Sequence, residues 1–320
     1  MGYIKAICMS SEKGTAKEQV REAEFVPNFG IKGDAHAGNW HRQISLLSSE
    51  AVEKFAGELA SEHADISKSG ICPGAFGENL LTEGICLKDI PCGTILRAGE
   101  VILRITQRGK ECHSGCNIRK LTGDCIMPRE GVFAEVIKGG ILRTGEEISI
   151  EPDSADSPFR AAVITMSDRA YAGEYTDKSG PALAGLLRKE GFEVIEEFVL
   201  PDDGEMLKTN LIRLADRRDA DLIITTGGTG FSVRDVTPEA TLAVATRNAP
   251  GIAEAIRAGS MRFTPKAMLS RGVSAIRNRT LMINFPGSPK AVEECFGIIR
   301  EALVHGLGIL TGREGKLYTD

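Results

Sequence analysis

The chain has 320 residues and a formal net charge of −5, with 39 Lys and Arg against 44 Asp and Glu. It is long for one core and comfortable for two of roughly 150 residues each, and with no basic tail or arginine cluster the balance argues against nucleic acid as the main partner. No apolar run approaches the roughly 20 residues of a membrane helix, and no basic region followed by an apolar core opens the chain, so a cytoplasmic protein is expected, neither secreted nor membrane-spanning.

Taken in order, the first half is strand-rich. Ser49 to Ala60 carries Ala51, Val52, Phe55 and Leu59 on one side, the spacing of an amphipathic helix. Gly93 to Arg97 and Val101 to Gln107 flank the turn Ala98-Gly99-Glu100, and Val132 to Lys138 meets Ile141 and Leu142 across Gly139-Gly140. Both pairs read as β-hairpins. With a turn expected near Arg119, residues 1–150 should form a β-rich, barrel-like domain.

Seven of the eight cysteines (Cys8, Cys72, Cys86, Cys92, Cys112, Cys116 and Cys125) precede residue 150. They are read as reduced thiols, and for Cys8, Cys86 and Cys92 burial as small hydrophobes is the preferred reading. Cys112-His113-Ser114-Gly115-Cys116 offers three zinc ligands, with Cys125 or Cys72 as a fourth. No Cys-x-x-Cys is present, however, and adjacent Cys112 and His113 do not readily face one ion, so a structured loop is preferred. Cys125 stands apart because Arg119 and Arg129 lie near it in sequence, cations that favour a thiolate if they are also near in space.

Glu151-Pro152-Asp153-Ser154-Ala155-Asp156-Ser157-Pro158 holds no hydrophobic residue larger than alanine and reads as a linker over 151–158. Beyond it strands and helices alternate. Ala161 to Met166 is a strand, and Pro181 to Glu190 a helix stopped by Gly191. Phe192 to Leu200 is a strand, Glu205 to Arg217 a helix, and Asp221 to Thr226 a strand. The alternation predicts, for residues 159–320, a three-layer α/β domain with a mostly parallel sheet.

Two glycine loops carry the chemistry. Thr225-Thr226-Gly227-Gly228-Thr229-Gly230 follows the strand at Asp221, and Asn284-Phe285-Pro286-Gly287-Ser288-Pro289 follows the strand Leu281 to Asn284. Thr237 with Pro238, and Ser288 with Pro289, read as N-caps followed by a first-turn proline. Glycine lets backbone N–H groups approach an anion, and a helix N-terminus adds its positive dipole end. Neither loop is a Walker A sequence or a dinucleotide fingerprint. Together with Arg234-Asp235-Val236-Thr237-Pro238-Glu239 they supply N–H donors, a cation and a carboxylate for a polyphosphate at the carboxyl ends of parallel strands.

At these residues the chain resembles molybdopterin adenylyltransferases of the MogA/MoaB type. The matches are Thr226 to Gly230, Arg234 to Thr241, Ser167-Asp168-Arg169-Ala170 with Gly173, Asp177 and Ser179-Gly180-Pro181, Leu200-Pro201-Asp202-Asp203, Leu269-Ser270-Arg271, and Asn284 to Lys290. The resemblance implies transfer of AMP from Mg²⁺-ATP to molybdopterin with release of pyrophosphate. It makes Asp202 and Asp235 the catalytic aspartates and Mg²⁺ holders, and Asp168, Gly227, Gly228, Thr229, Gly230 and Ser288 the contacts to nucleotide or pterin. It also implies a homotrimer.

Over roughly residues 1–150, Lys32-Gly33-Asp34-Ala35-His36-Ala37-Gly38, His41-Arg42-Gln43, Gly74 to Leu80 and Cys125 to Gly131 resemble a bacterial MOSC domain. That implies binding of the molybdenum cofactor or sulfur handling through Cys125, with His36 and Arg129 as contacts, alongside other proteins of the cofactor pathway. Alternatives implied by the same resemblances are a non-catalytic cofactor carrier and a reductase of N-hydroxylated compounds.

Overall fold

The computed structural model of the chain describes residues 1–62, 71–110, 125–151 and 157–313. Two compact units, Met1–Asp153 and Ser154–Asp320, make up the molecule. The expected turn near Arg119 and the Cys112-His113-Cys116 zinc reading lie outside the described residues.

In the first unit, seven strands close a barrel in the order β11-β7-β8-β9-β5-β6-β1, with β1 returning to β11. These are β1 (Gly2–Met9), β5 (Ile44–Ser48), β6 (Leu80–Glu83), β7 (Ile95–Ala98), β8 (Val101–Arg108), β9 (Val132–Lys138) and β11 (Glu147–Ile150). Closure removes unpaired edges. Alternate residues fill the interior: on β8, Val101, Leu103 and Ile105 are fully buried, as are Val132, Ala134 and Val136 on β9. Strand β2 (Glu18–Val20) adds to β1, while β3 (Glu22–Val26), β4 (Gly30–Ile31) and β10 (Gly140–Arg143) form a separate three-stranded sheet. Outside the barrel lie α1 (Ser49–Glu62) and the short α2 (Met127–Glu130).

The β7–β8 hairpin forms as expected. The second does not: β9 pairs with β8 and β5, whereas β10 pairs antiparallel with β3. The cause is Gly139, where a Cβ would sit 2.4 Å from the Phe25 carbonyl oxygen. The glycine pair lets the chain press against β3 and change sheets instead of folding back on β9. Cys86 is also exposed, not buried: it follows Gly84 in a surface loop, where its thiol donates to Asp89 at 3.3 Å. Cys8 and Cys92 are buried as expected.

The second unit is a six-stranded sheet in the order β13-β12-β14-β17-β16-β15. Strands β12 (Arg160–Met166), β13 (Glu193–Leu200), β14 (Leu222–Thr226) and β17 (Thr280–Phe285) run parallel, and β16 (Ser274–Arg277) pairs antiparallel with both β17 and the edge strand β15 (Arg247–Asn248). On one face pack α4 (Ser179–Lys189), α7 (Pro250–Ser260) and α8 (Pro289–Thr311); on the other pack α5 (Gly204–Asp216) and α6 (Thr237–Val244). A one-turn α3 (Asp168–Tyr171) follows β12. Strand β12 serves both layers, sending Ala161 and Val163 to one and Ala162, Ile164 and Met166 to the other. Covered on both sides, it reads as a continuous apolar run.

Candidate functional site

The site lies where β13, β12, β14 and β17 end, because parallel pairing brings the carboxyl ends of all four strands to one edge. The two glycine loops touch there. A Cβ on Gly287 would lie 3.2 Å from the Gly227 Cα, Gly227 N–H donates to Phe285 O at 3.1 Å, and Thr226 Oγ1 donates to Pro286 O at 2.7 Å. Gly227 (φ 97°) and Gly228 (φ 62°) both occupy backbone regions that favour glycine. Side chains are also excluded for space: a Cβ on Gly227 would meet Met166 O at 2.3 Å, and one on Gly228 would meet Thr237 Oγ1 at 2.3 Å.

The Gly227 N–H is therefore used between strands and cannot serve a ligand. The N–H groups of Gly228, Thr229 and Gly230 have no protein acceptor among the described residues, the arrangement of an anion-binding nest. Thr237 differs from its expected role. Helix α6 begins at Thr237 after Val236, without a side-chain cap, and Thr237 Oγ1 donates to Gly227 O at 3.1 Å. The hydroxyl ties the helix to the loop it follows. Ser288 does cap α8, accepting from Ala291 N–H at 3.2 Å.

Asp168 and Asp202 hold each other through reciprocal bonds. Asp202 N–H donates to Asp168 Oδ1 at 2.9 Å, and Asp168 N–H donates to Asp202 Oδ2 at 3.1 Å. Asp168 also receives Arg234 bidentately, at 3.0 Å from Nε and 2.7 Å from the terminal nitrogen. Arg234 and the Asp202 N–H together hold the Asp168 carboxyl below the usual carboxylate range. Burial pushes Asp202 up, and the negative charges of Asp168 and Asp235 add to this. Asp235 folds back on its own loop, accepting Ser232 N–H at 3.0 Å beside Gly230, where a Cβ would lie 2.8 Å from Oδ2.

Arg271 is the component to which the sequence assigned no role. Its N–H donates to Thr229 O at 2.9 Å and its Nε to Gly230 O at 2.6 Å. The remaining guanidinium nitrogens reach Asp235 O and the Glu239 carboxylate. One residue, through its backbone N–H and its guanidinium, thus pins both ends of the Thr229–Asp235 loop. The tripeptide Leu269-Ser270-Arg271 was visible in the sequence, but nothing in its spacing places it against residues about forty positions earlier.

In the barrel unit the predicted residues fall in two described groups, one polar around Asp34 and one apolar around Cys125. Asp34, with its side chain 1% exposed, takes Lys17 Nζ at 2.5 Å, Ser10 N–H at 3.2 Å, His36 N–H at 2.9 Å and Asn79 Nδ2 at 3.1 Å. Burial alone would raise this carboxyl, but the bonds from His36 and Lys17 outweigh it and hold the group well below the usual range. Glu78 is buried beside this cluster and pushed up by burial, although it accepts Gly74 N–H at 2.6 Å and Phe76 N–H at 3.1 Å. Burial, with Glu78 adding to it, pushes the Cys8 thiol up to about 12.

His36 belongs to this cluster, with Nδ1 3.5 Å from Asp34 Oδ1. Cys125 is 4% exposed in an apolar cluster with Cys8, Phe55, Phe76, Ile126 and Met127. Arg129 lies over the Phe55 ring, 5.3 Å from its centroid, and lines a cavity of about 550 Å³ with Lys54 and Lys88.

Residues 162–305 match the family described as "Probable molybdopterin binding domain", and residues 33–149 match the MOSC domain. The molybdopterin adenylyltransferase of Escherichia coli (strain K12) is 42% identical over 156 residues, covering 47% of this chain and 80% of that protein. That of Helicobacter pylori (strain ATCC 700392 / 26695) is 38% identical over 152 residues, covering 47% of this chain and 86% of its own length. The solved MoaB of Thermus thermophilus shares 44% identity, covering 48% of this chain and 97% of its own, with a TM-score of 0.47. Through its C-terminal domain the chain belongs to the molybdopterin adenylyltransferase family, and a MOSC domain precedes that half.

Proposed function

We propose that the chain serves molybdenum cofactor biosynthesis, and that its C-terminal domain transfers AMP from Mg²⁺-ATP to the terminal phosphate of molybdopterin. A phosphate oxygen of the pterin bonds to the α-phosphorus of ATP as the bond from that phosphorus to pyrophosphate breaks. The nucleophile comes from the substrate, so the protein supplies position and charge neutralisation. The observation that carries the reading is the nest at Gly228, Thr229 and Gly230 beside Asp202, Asp235 and Arg234 at one sheet edge. The N–H groups of Gly228, Thr229 and Gly230 and the capped start of α8 at Ser288 bind phosphate oxygens, and Asp168 contacts the nucleotide or pterin.

The donor set fits magnesium. Burial and the neighbouring carboxylates of Asp168 and Asp235 leave Asp202 with negative charge that a hard cation would relieve. Among the described residues no three His, Cys, Asp or Glu side chains converge on a metal position. Magnesium needs only one or two carboxylates when substrate phosphates complete its shell, and Asp202 and Asp235 would supply them. Held there by Asp202 and Asp235, a magnesium ion would supply positive charge to neutralise the substrate phosphates.

The N-terminal domain acts on the same cofactor. The burial of Cys125 among apolar side chains favours a binding role over an exposed reactive thiolate, with His36 and Arg129 as further contacts. No helix among the described residues is long and apolar enough to cross a membrane. The family relationship supports work in the cytoplasm as a homotrimer, in exchange with other proteins of the pathway.

The test is pyrophosphate release from Mg²⁺-ATP, with and without molybdopterin, by the intact chain and by Asp235→Asn. Release should require the pterin and fall at least about 100-fold in the variant. Tight pterin binding without release would instead make this half a carrier.

A further inference from the structure

We propose that Arg234 is the side chain that grips the polyphosphate, and that Asp168 is its resting partner, exchanged for a phosphate when the ligand arrives. The inference takes the ligand class, and Arg234 as a cation of the site, from the adenylyl-transfer reading and adds to it a mode of entry.

Three observations carry it. The first is geometric: Arg234 presents Nε and a terminal nitrogen to both Asp168 oxygens, at 3.0 and 2.7 Å. That fork matches a phosphate as well as a carboxylate. The second is exposure. The side chains of Arg234 and Asp168 are 61% and 43% exposed, so water screens their pairing and exchange costs little. A polyphosphate, with several charges and additional nest donors beside it, outcompetes one carboxylate. The third is the way the loop is held. Arg271 bonds Thr229 O, Gly230 O and Asp235 O, fixing both ends. Between them Phe231, 71% exposed, and Val233, 96% exposed, leave the tip without packing. Arg234 can therefore change partner by side-chain rotation while Asp235 and the glycine N–H groups keep their positions.

The exchange also answers an electrostatic problem. Asp168, Asp202 and Asp235 gather negative charge where an anion must bind. With Arg234 stored on Asp168, that charge is partly covered in the resting protein, and the same cation is delivered to the ligand on arrival. After release Asp168 still has the Asp202 N–H, which donates to it at 2.9 Å in the resting protein.

The experiment is calorimetric titration of the full chain with magnesium pyrophosphate, using wild type, Asp168→Asn, Arg234→Gln and the double variant, with melting curves to confirm folding. Arg234→Gln should weaken binding at least about tenfold. Asp168→Asn should tighten it severalfold, and that gain should vanish in the Arg234→Gln background. If Asp168→Asn tightens binding by the same factor in both backgrounds, it only relieves repulsion, and the exchange is wrong. Wild-type affinity in Arg234→Gln, or no binding by wild type, would also overturn the proposal. Binding is read without turnover. A failure of the adenylyl-transfer reading would appear separately, as pyrophosphate bound as expected but never released from ATP.

Discussion

Asp34 and Asp168 are the same side chain in opposite surroundings. Asp34 is buried in the barrel unit with Lys17, and every bond it accepts comes from a group that is itself held, so the cluster has one arrangement. Asp168 stands at an open sheet edge, paired with an exposed arginine on a loop tip. Removing charges from water is expensive, and a buried pair is retained only when fully bonded, whereas an exposed pair gains little and is free to exchange. Burial, not residue type, separates these two carboxylates.

The comparison breaks most directly at Asp34. Asp34→Ala leaves the Lys17 ammonium buried without its partner and should cost about 3–5 kcal/mol in urea denaturation of the full chain. A cost near that of a surface substitution would erase the contrast. The pH dependence has a defined sign. The folded carboxyl is held low, so the unfolded chain binds the proton more tightly. The stability it confers is present above the ordinary aspartate range and lost as pH falls, so the gap between wild type and variant should narrow in acid.

Ser288→Ala is the intermediate case, a surface residue with one defined bond to Ala291 N–H. Loss of this cap should cost about 1 kcal/mol. A smaller change with reversed sign is expected at Asp202. Its folded carboxyl is raised, so ionisation there opposes folding. Asp202→Asn should raise the melting temperature at neutral pH, and the gain should disappear as pH falls below the ordinary aspartate range. Adenylyl transfer should be lost in the same variant, separating stability from activity. The smallest effect belongs to Arg234→Gln, which removes the exposed pair but keeps the Asp202 N–H bond to Asp168 and should leave the melting temperature nearly unchanged. A clear loss there would mean that the exposed pair is structural after all.

Much of this was legible in the chain. The alternation from Ala161 to Thr226 specified the parallel sheet, because helices of period 3.6 between buried apolar runs have few other ways to pack. The β7–β8 hairpin was equally local. Errors arose where a distant segment intervened. Phe25 draws the Gly139-Gly140 segment away from β9, and Gly227 O draws the Thr237 hydroxyl out of its capping role. Strands β15 and β16 are short, and β16 pairs with β17 before β15 can add to it. The site followed the same rule. Asp202, Asp235 and the glycine loops were named from motifs, but the Arg271 clamp, the use of the Gly227 N–H between strands and the apolar burial of Cys125 were not.

The sequence by itself pointed to two domains, to the family of each half and to the residues proposed to handle phosphate, because these rest on local periodicity and on contiguous motifs. Only the tertiary structure decided which carboxylate is buried and satisfied, which cation is exposed, and which loop is pinned. Those properties depend on solvent exposure and on contacts between residues far apart in the chain, and neither is encoded in any short segment.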